Sequence, residues 1–173
     1  VTLGIVRSHS GLIEVESSPG VGTKFTIHLP LAREAETKSL LPSGNLPHGN
    51  NQRVLVVDDE FFFLDVVREN LEHLGYQVTS CQSSLQALEI LKQDPDQVEL
   101  LITDQTMPDL TGVQLIAEIR KAGVTLPVLL CTGYSETVTE QSAKHYGISK
   151  LLMKPITITD LSWAVHEILN DSQ

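Results

Sequence analysis

The sequence predicts an α/β fold, a doubly wound five-stranded parallel sheet, and three observations carry that prediction. Short apolar runs recur from residue 53 onward, most of them end on a residue with side-chain chemistry, and segments of helical character separate them. Continuous apolar runs suit strands buried on both faces, as in a parallel sheet. Strands that alternate with helices, joined by right-handed crossovers, give a layered α/β sandwich.

The elements follow in order. A first strand is expected over 53–57, where Val54-Leu55-Val56-Val57 leads into Asp58-Asp59. The helix over 61–74 opens with Phe61-Phe62-Phe63, one or two of whose rings should pack inward. A strand over 77–81 and a helix over 84–93 come next. Leu100-Leu101-Ile102-Thr103 closes a strand over 98–103 and leads into Asp104, before a helix over 111–121. Val128-Leu129-Leu130-Cys131 forms most of the strand over 127–131 and runs into Thr132. The helix over 135–146 is the least periodic, with Ser135, Thr137, Thr139 and Ser142 among scattered apolar positions. Leu151-Leu152-Met153 ends a strand over 149–153 and meets Lys154-Pro155. In the last helix, over 157–170, Thr157 or Thr159 can cap the start, and Leu161, Val165, Ile168 and Leu169 share a face.

Before these elements, Leu40–Gln52 is dense in Pro, Gly, Asn and Ser and reads as a flexible linker with a boundary near Arg53. The first thirty residues read as a short helix, a strand, a Pro-Gly turn made possible by Gly20 and Gly22, and a second strand. That is too little chain to bury a hairpin as an independent core.

Composition narrows the function. At 173 residues and 41% hydrophobic, the chain can build one full domain and something smaller. No apolar run approaches a membrane span and no signal peptide stands at the start, so a cytoplasmic setting without membrane contact is expected. Residues 1–52 balance Arg7, Lys24, Arg33 and Lys38 against Glu14, Glu16, Glu34 and Glu36, so the net charge of −10 falls on the remainder. An acidic domain with no basic stripe argues against nucleic-acid binding. Cys81 and Cys131 lie in apolar strands without metal-site spacing and read as small buried thiols.

In open parallel sheets ligands sit at the carboxyl ends of the strands. Asp58-Asp59, Asp104, Thr132 and Lys154 would converge there. Three neighbouring carboxylates repel unless a hard cation joins them, and Mg²⁺ favours few carboxylates, several waters and a phosphate oxygen. Asp104 then reads as a nucleophile accepting a phosphoryl group, Lys154 as a point charge for its oxygens, and Thr132 as a hydroxyl for another oxygen. Singly, each residue has a plainer reading: helix caps for Asp58 and Asp59, a turn for Asp104, a solvated charge for Lys154, a strand-end hydroxyl for Thr132. Four coincidences at strand ends favour the joint reading. A phosphatase of the haloacid-dehalogenase type needs Asp-x-Asp, which the adjacent pair does not supply.

The pieces VLVVDDE, LLITDQTMPDLTG, VLLCTGYSE and LLMKPIT resemble the receiver domain of two-component response regulators over residues 53–171. The resemblance implies the flavodoxin-like strand order 2-1-3-4-5, Asp104 as phosphoacceptor, Thr132 as switch hydroxyl, and Lys154 as phosphoryl partner before a cis peptide to Pro155. It implies Mg²⁺ bound by Asp59 directly, by Asp58 through water, by Asp104 and by the Thr106 backbone carbonyl. Thr106, Gly133 and Tyr134 would flank the phosphoryl group and tune its lifetime. One departure stands out: three residues before the lysine the family usually carries an aromatic switch residue, and here it is Leu151.

The segment HSGLIEVESSPGVGTKFTIHLP resembles the terminal strands of a histidine-kinase ATP-binding domain. The nucleotide-binding boxes and a dimerisation helix with an acceptor histidine are absent, so His9 and His28 read as structural and no kinase activity is expected of this chain. The implied order is a terminal fragment of that domain (1–30), a linker (31–52) and a receiver (53–173), the end of a hybrid histidine kinase. Its receiver would take a phosphoryl group from a kinase phosphohistidine and slowly hydrolyse it, feed back, or relay it to a histidine phosphotransfer protein. The short end after the last helix favours relay or feedback over transcription control. An outward ring, Phe61 or Phe62, would dock a histidine-bearing helix. The alternative is a degenerate receiver acting as a binding module.

Overall fold

Every residue of Leu100–Asp104 and Val128–Thr132 is buried, as expected of central strands covered on both faces. The computed structural model that shows this describes residues 2–8, 10–30, 46–133, 138 and 140–170. The chain divides into two units, Val1–Ser43 and Gly44–Gln173.

The first unit holds helix α1 (Thr2–Ser8) and an antiparallel hairpin of β1 (Leu12–Ser18) and β2 (Gly22–His28). Gly20 turns it at φ 75°, a conformation a side chain would strain. The register sets Ile13 opposite Ile27 and Val15 opposite Phe25 on one face. On the other, His28 pairs with Glu14 at 3.2 Å and Lys24 with Glu16 at 3.6 Å. Val15, Phe25 and Ile27 are all exposed.

The second unit is a five-stranded parallel sheet ordered β4-β3-β5-β6-β7. Its strands are β3 (Arg53–Val57), β4 (Gln77–Cys81), β5 (Leu100–Asp104), β6 (Val128–Thr132) and β7 (Lys150–Met153). Counted within the unit, that is the expected order 2-1-3-4-5. Helices α2 (Phe61–His73) and α6 (Ile158–Asn170) pack on one face through Leu64, Val67, Leu71, Leu161 and Val165. Helices α3 (Ser84–Gln93), α4 (Gly112–Lys121) and α5 (Glu140–His145) cover the other through Leu91, Leu115, Ile119 and Ala143.

Most boundaries fall within a residue of expectation, and three places differ by more. The third strand starts at Leu100 because a 3₁₀ turn, Pro95–Gln97, occupies the approach to it. The fifth helix is described over Glu140–His145, and the expectation for 135–137 and 139 lies outside the described residues. The second unit begins at Gly44, ahead of the boundary read near Arg53. Leu46 packs on the α2–α6 side of the core. The Gly49 and Asn51 N–H groups donate to the carbonyls of Leu74 (2.8 Å) and Gly75 (2.9 Å). A Cβ on Gly49 would lie 2.5 Å from the Tyr76 ring, so the glycine that looked like linker is required by close packing.

Thr157 caps α6, accepting from the Asp160 N–H at 3.1 Å. Cys81 and Cys131 are buried free thiols, and burial pushes Cys131 up to about 12. Among the described residues no helix is long and apolar enough to cross a membrane.

Candidate functional site

The sheet order places the ends of β3 and β5 side by side, so Asp58 and Asp104 meet although they are far apart in sequence. Asp58 is fully buried and Asp104 is 6% exposed. Between them sits Lys154, the residue directly after β7, and the bond that follows it, to Pro155, is cis. Its ammonium donates to Asp58 Oδ2 at 2.6 Å and to Asp104 Oδ1 at 2.8 Å. The remaining carboxylate oxygens are also bonded: Asp58 Oδ1 accepts from the Glu60 N–H at 2.8 Å, and Asp104 Oδ2 from the Thr106 N–H at 2.6 Å. The Lys154 N–H donates to the Thr132 carbonyl at 2.7 Å, which ties the lysine's backbone to the neighbouring strand end.

Burial and pairing pull on these charges in opposite directions. Burial pushes the Asp58 carboxyl up by more than Lys154 and the Glu60 N–H pull it down. Burial alone would lower Lys154, but its hydrogen bonds to Asp104 and Asp58 outweigh that and push it up. The ammonium therefore stays charged across the physiological range.

The loop after Asp104 is fixed on several sides. Gln105 donates its N–H to the Cys131 carbonyl at 2.8 Å and accepts from the Val113 N–H through its side chain at 3.2 Å. Thr111 and Gln114 form a capping box at the start of α4. Ser84, 1% exposed, donates to the Pro108 carbonyl at 3.1 Å and accepts from the Leu110 N–H at 3.2 Å. A Cβ on Gly112 would sit 2.5 Å from the Asp104 carbonyl oxygen, so the start of α4 presses directly on the end of β5.

Of the residues expected at the site, Asp58, Asp104 and Lys154 are joined by hydrogen bonds. Thr132 is buried at the next strand end, its hydroxyl donating to the Gly133 carbonyl at 3.1 Å. Asp59 and Thr106 are exposed. Among the described residues, a Cβ on Gly133 would meet nothing within 4 Å. Tyr134 lies outside the described residues. Leu151 is half-buried against the α3–α4 side of the core. Of the phenylalanine run, Phe63 packs on the core while Phe61 and Phe62 are exposed. Phe63 has a second contact that the sequence did not signal: Lys154 Nζ lies 4.1 Å from its ring centroid. The supports from Ser84 and Gln105 were likewise missed, because nothing in local sequence pairs them with that loop.

Among the described residues no three His, Cys, Asp or Glu side chains converge as a metal cluster. Asp58 and Asp104, which share the Lys154 ammonium, are nevertheless hard-oxygen groups of the kind Mg²⁺ uses.

A family model described as the response regulator receiver domain matches residues 54–166. Sensor kinase CckA of Brucella abortus is 29% identical over 180 residues, covering 96% of this chain. The two-component response regulator ORR22 of Oryza sativa subsp. indica is 33% identical over 129 residues, covering 75%. This chain spans 18% of the length of each. Among solved structures, a response regulator receiver domain protein from Clostridium thermocellum is 31% identical with a TM-score of 0.65, over 70% of this chain and 96% of that one. A CheY-like receiver domain protein from Methanospirillum hungatei is 26% identical with a TM-score of 0.63, over 69% and 94%.

Proposed function

The chain belongs to the response regulator receiver family, and on that premise we propose that Asp104 accepts a phosphoryl group from the phosphohistidine of a kinase or phosphotransfer protein. The observation that carries the proposal is the ammonium of Lys154 held between Asp58 and Asp104 at adjacent strand ends. In the transfer, the donor's P–N bond breaks, a P–O bond to an Asp104 carboxylate oxygen forms, and the imidazole leaves. Lys154 stays beside the oxygens whose charge must be balanced. Thr132 offers its hydroxyl to one of them.

The residues that would hold Mg²⁺ are Asp58, Asp59, Asp104 and the Thr106 carbonyl; when bound, the ion neutralises phosphoryl charge and aligns the group. Asp59 is exposed and bonded through its backbone carbonyl to Gln82. Asp59→Ala should therefore keep stability within about 0.5 kcal/mol. The same change should abolish the Mg²⁺-dependent stabilisation, roughly 1.4 kcal/mol at tenfold over the dissociation constant. Thermal melts of both proteins with and without Mg²⁺ check this, and a retained shift would remove Asp59 from the site.

Phe61, Phe62 and Val66 form an exposed apolar strip on α2 suited to a partner's histidine-bearing helix. For residues 1–30 the reading is the terminal piece of a histidine-kinase ATP-binding domain. Its support is the exposed apolar hairpin face and the span of CckA over nearly the whole chain. The order proposed is that fragment, a linker, and a receiver that begins near Gly44, working in the cytoplasm as part of a hybrid kinase. Leu151, in place of an aromatic ring, leaves room for weakened switching, and the second reading is a degenerate receiver acting as a binding module that is not phosphorylated.

Intact mass after incubation with acetyl phosphate and Mg²⁺ decides between them. One added phosphoryl mass in the wild type and none in Asp104→Ala is the expected result. No gain in a folded wild type would favour the binding module.

A further inference from the structure

Lys154 carries four rotatable stem bonds and a strongly hydrated charge, yet its ammonium must face two carboxylates at once. Two hydrogen bonds account for Asp58 and Asp104. A third neighbour completes its surroundings, the face of Phe63 at 4.1 Å from the ring centroid. That separation lies well within the range over which an aromatic quadrupole attracts a cation. The lysine side chain is only 22% exposed, so the attraction acts in a partly desolvated setting where it is stronger than at an open surface.

We propose that Phe63 is a positioning residue for phosphoryl transfer, its ring holding the Lys154 ammonium at the mouth of the site through both states of Asp104. The inference rests on the phosphoacceptor reading. When a phosphoryl group joins Asp104, the ammonium exchanges a carboxylate contact for a phosphoryl oxygen. The ring belongs to neither carboxylate, so its hold does not change with that exchange. Phe63 is itself fixed, since it packs against the core shared by α2, α6 and the sheet. Its neighbours Phe61 and Phe62 contact each other edge-on at 5.9 Å and are exposed. The three consecutive rings therefore divide: two face solvent, and the third faces the charge.

A purely structural Phe63 would need an apolar side chain of the right size and nothing more. The test keeps size nearly constant and varies the ring's electron density, by replacing Phe63 with 4-fluoro-, 3,5-difluoro- and pentafluorophenylalanine in the full chain. The rate of Asp104 phosphorylation by acetyl phosphate should fall progressively, to about fivefold slower with five fluorines, equivalent to roughly 1 kcal/mol. Phe63→Tyr should retain the wild-type rate and Phe63→Leu should not. A second readout needs neither phosphate nor Mg²⁺: NMR should show the Lys154 ε-methylene protons shifted upfield by the ring, and that shift should vanish in Phe63→Leu. Equal rates across the fluorinated series, in a protein whose wild type is phosphorylated, would overturn the role of the ring alone. A wild type that is never phosphorylated would overturn the phosphoacceptor reading and this inference with it, whatever the methylene shift.

Discussion

Lys154→Met is expected to destabilise the second unit by about 3 kcal/mol at pH 7 in the absence of divalent ions, read by urea unfolding. The substitution keeps most of the volume but leaves two buried carboxylates, Asp58 and Asp104, without their shared cation. The deficit should narrow toward pH 5. Burial has already raised Asp58, and a raised carboxyl contributes stability that is complete below its unfolded value and lost as pH rises through the folded one. Without Lys154 that folded value climbs further, so the variant recovers on acidification sooner than the wild type. The lysine's own contribution stays constant over this window. Its raised value lies above 10.5, and what it contributes is lost only at higher pH. A deficit of equal size at pH 7 and pH 5 would mean that the carboxylates do not depend on Lys154 as the geometry indicates.

Gly112→Ala should cost about 3 kcal/mol, the upper end of what forced overpacking produces. The added Cβ would lie 2.5 Å from the Asp104 carbonyl oxygen and 2.6 Å from Leu130 Cδ1. The first is backbone in a central strand, which cannot move without moving the acceptor carboxylate. Nor can the helix retreat freely, because the Gly112 N–H is bonded to the Gln105 carbonyl at 3.0 Å. Phosphorylation should therefore slow as well, on the order of a hundredfold for a displacement near 1 Å. Gly133→Ala is the control for stability, since among the described residues a Cβ there meets nothing within 4 Å, and it should stay within about 0.5 kcal/mol. If the two alanine variants unfold alike, α4 does not press on β5 as described.

The strands were legible because each buried strand of this sheet is written as an unbroken apolar run, as in Val54–Val57 and Val128–Cys131. The placement of Asp104 and Lys154 followed from those runs, because a strand's last residue in a parallel sheet faces the ligand crevice. What sequence could not supply was anything depending on partners remote in the chain. Asp58 and Lys154 are 96 residues apart, and their hydrogen bond exists only because the parallel sheet brings the carboxyl ends of β3 and β7 to the same edge, where the long lysine stem reaches across β5 and β6. Nothing in Asp58-Asp59 says that the first is buried and the second exposed; the end of β3 against its neighbours decides that. Phe63 illustrates the same limit. Three identical residues in a row carry no mark of which one meets a cation. The stretch 135–146 was hard to read for a local reason, the residues Ser135, Thr137, Thr139 and Ser142 in its sequence, since hydroxyl side chains compete for the backbone bonds a helix needs.

The contact between Gly49 and Tyr76 bears on how the receiver can be excised from its parent. Residues 46–52 look dispensable by composition, and the family match itself opens at Val54. Yet Tyr76 is 4% exposed, and this segment bonds to the carbonyls of Leu74 and Gly75 where α2 turns into β4. A piece cut at Arg53 would open that corner to water, whereas one cut at Gly44 would carry its own seal. The portable module is thus longer at its amino end than the repeating strand-helix pattern, and any transplant of this receiver into another protein should include that extension.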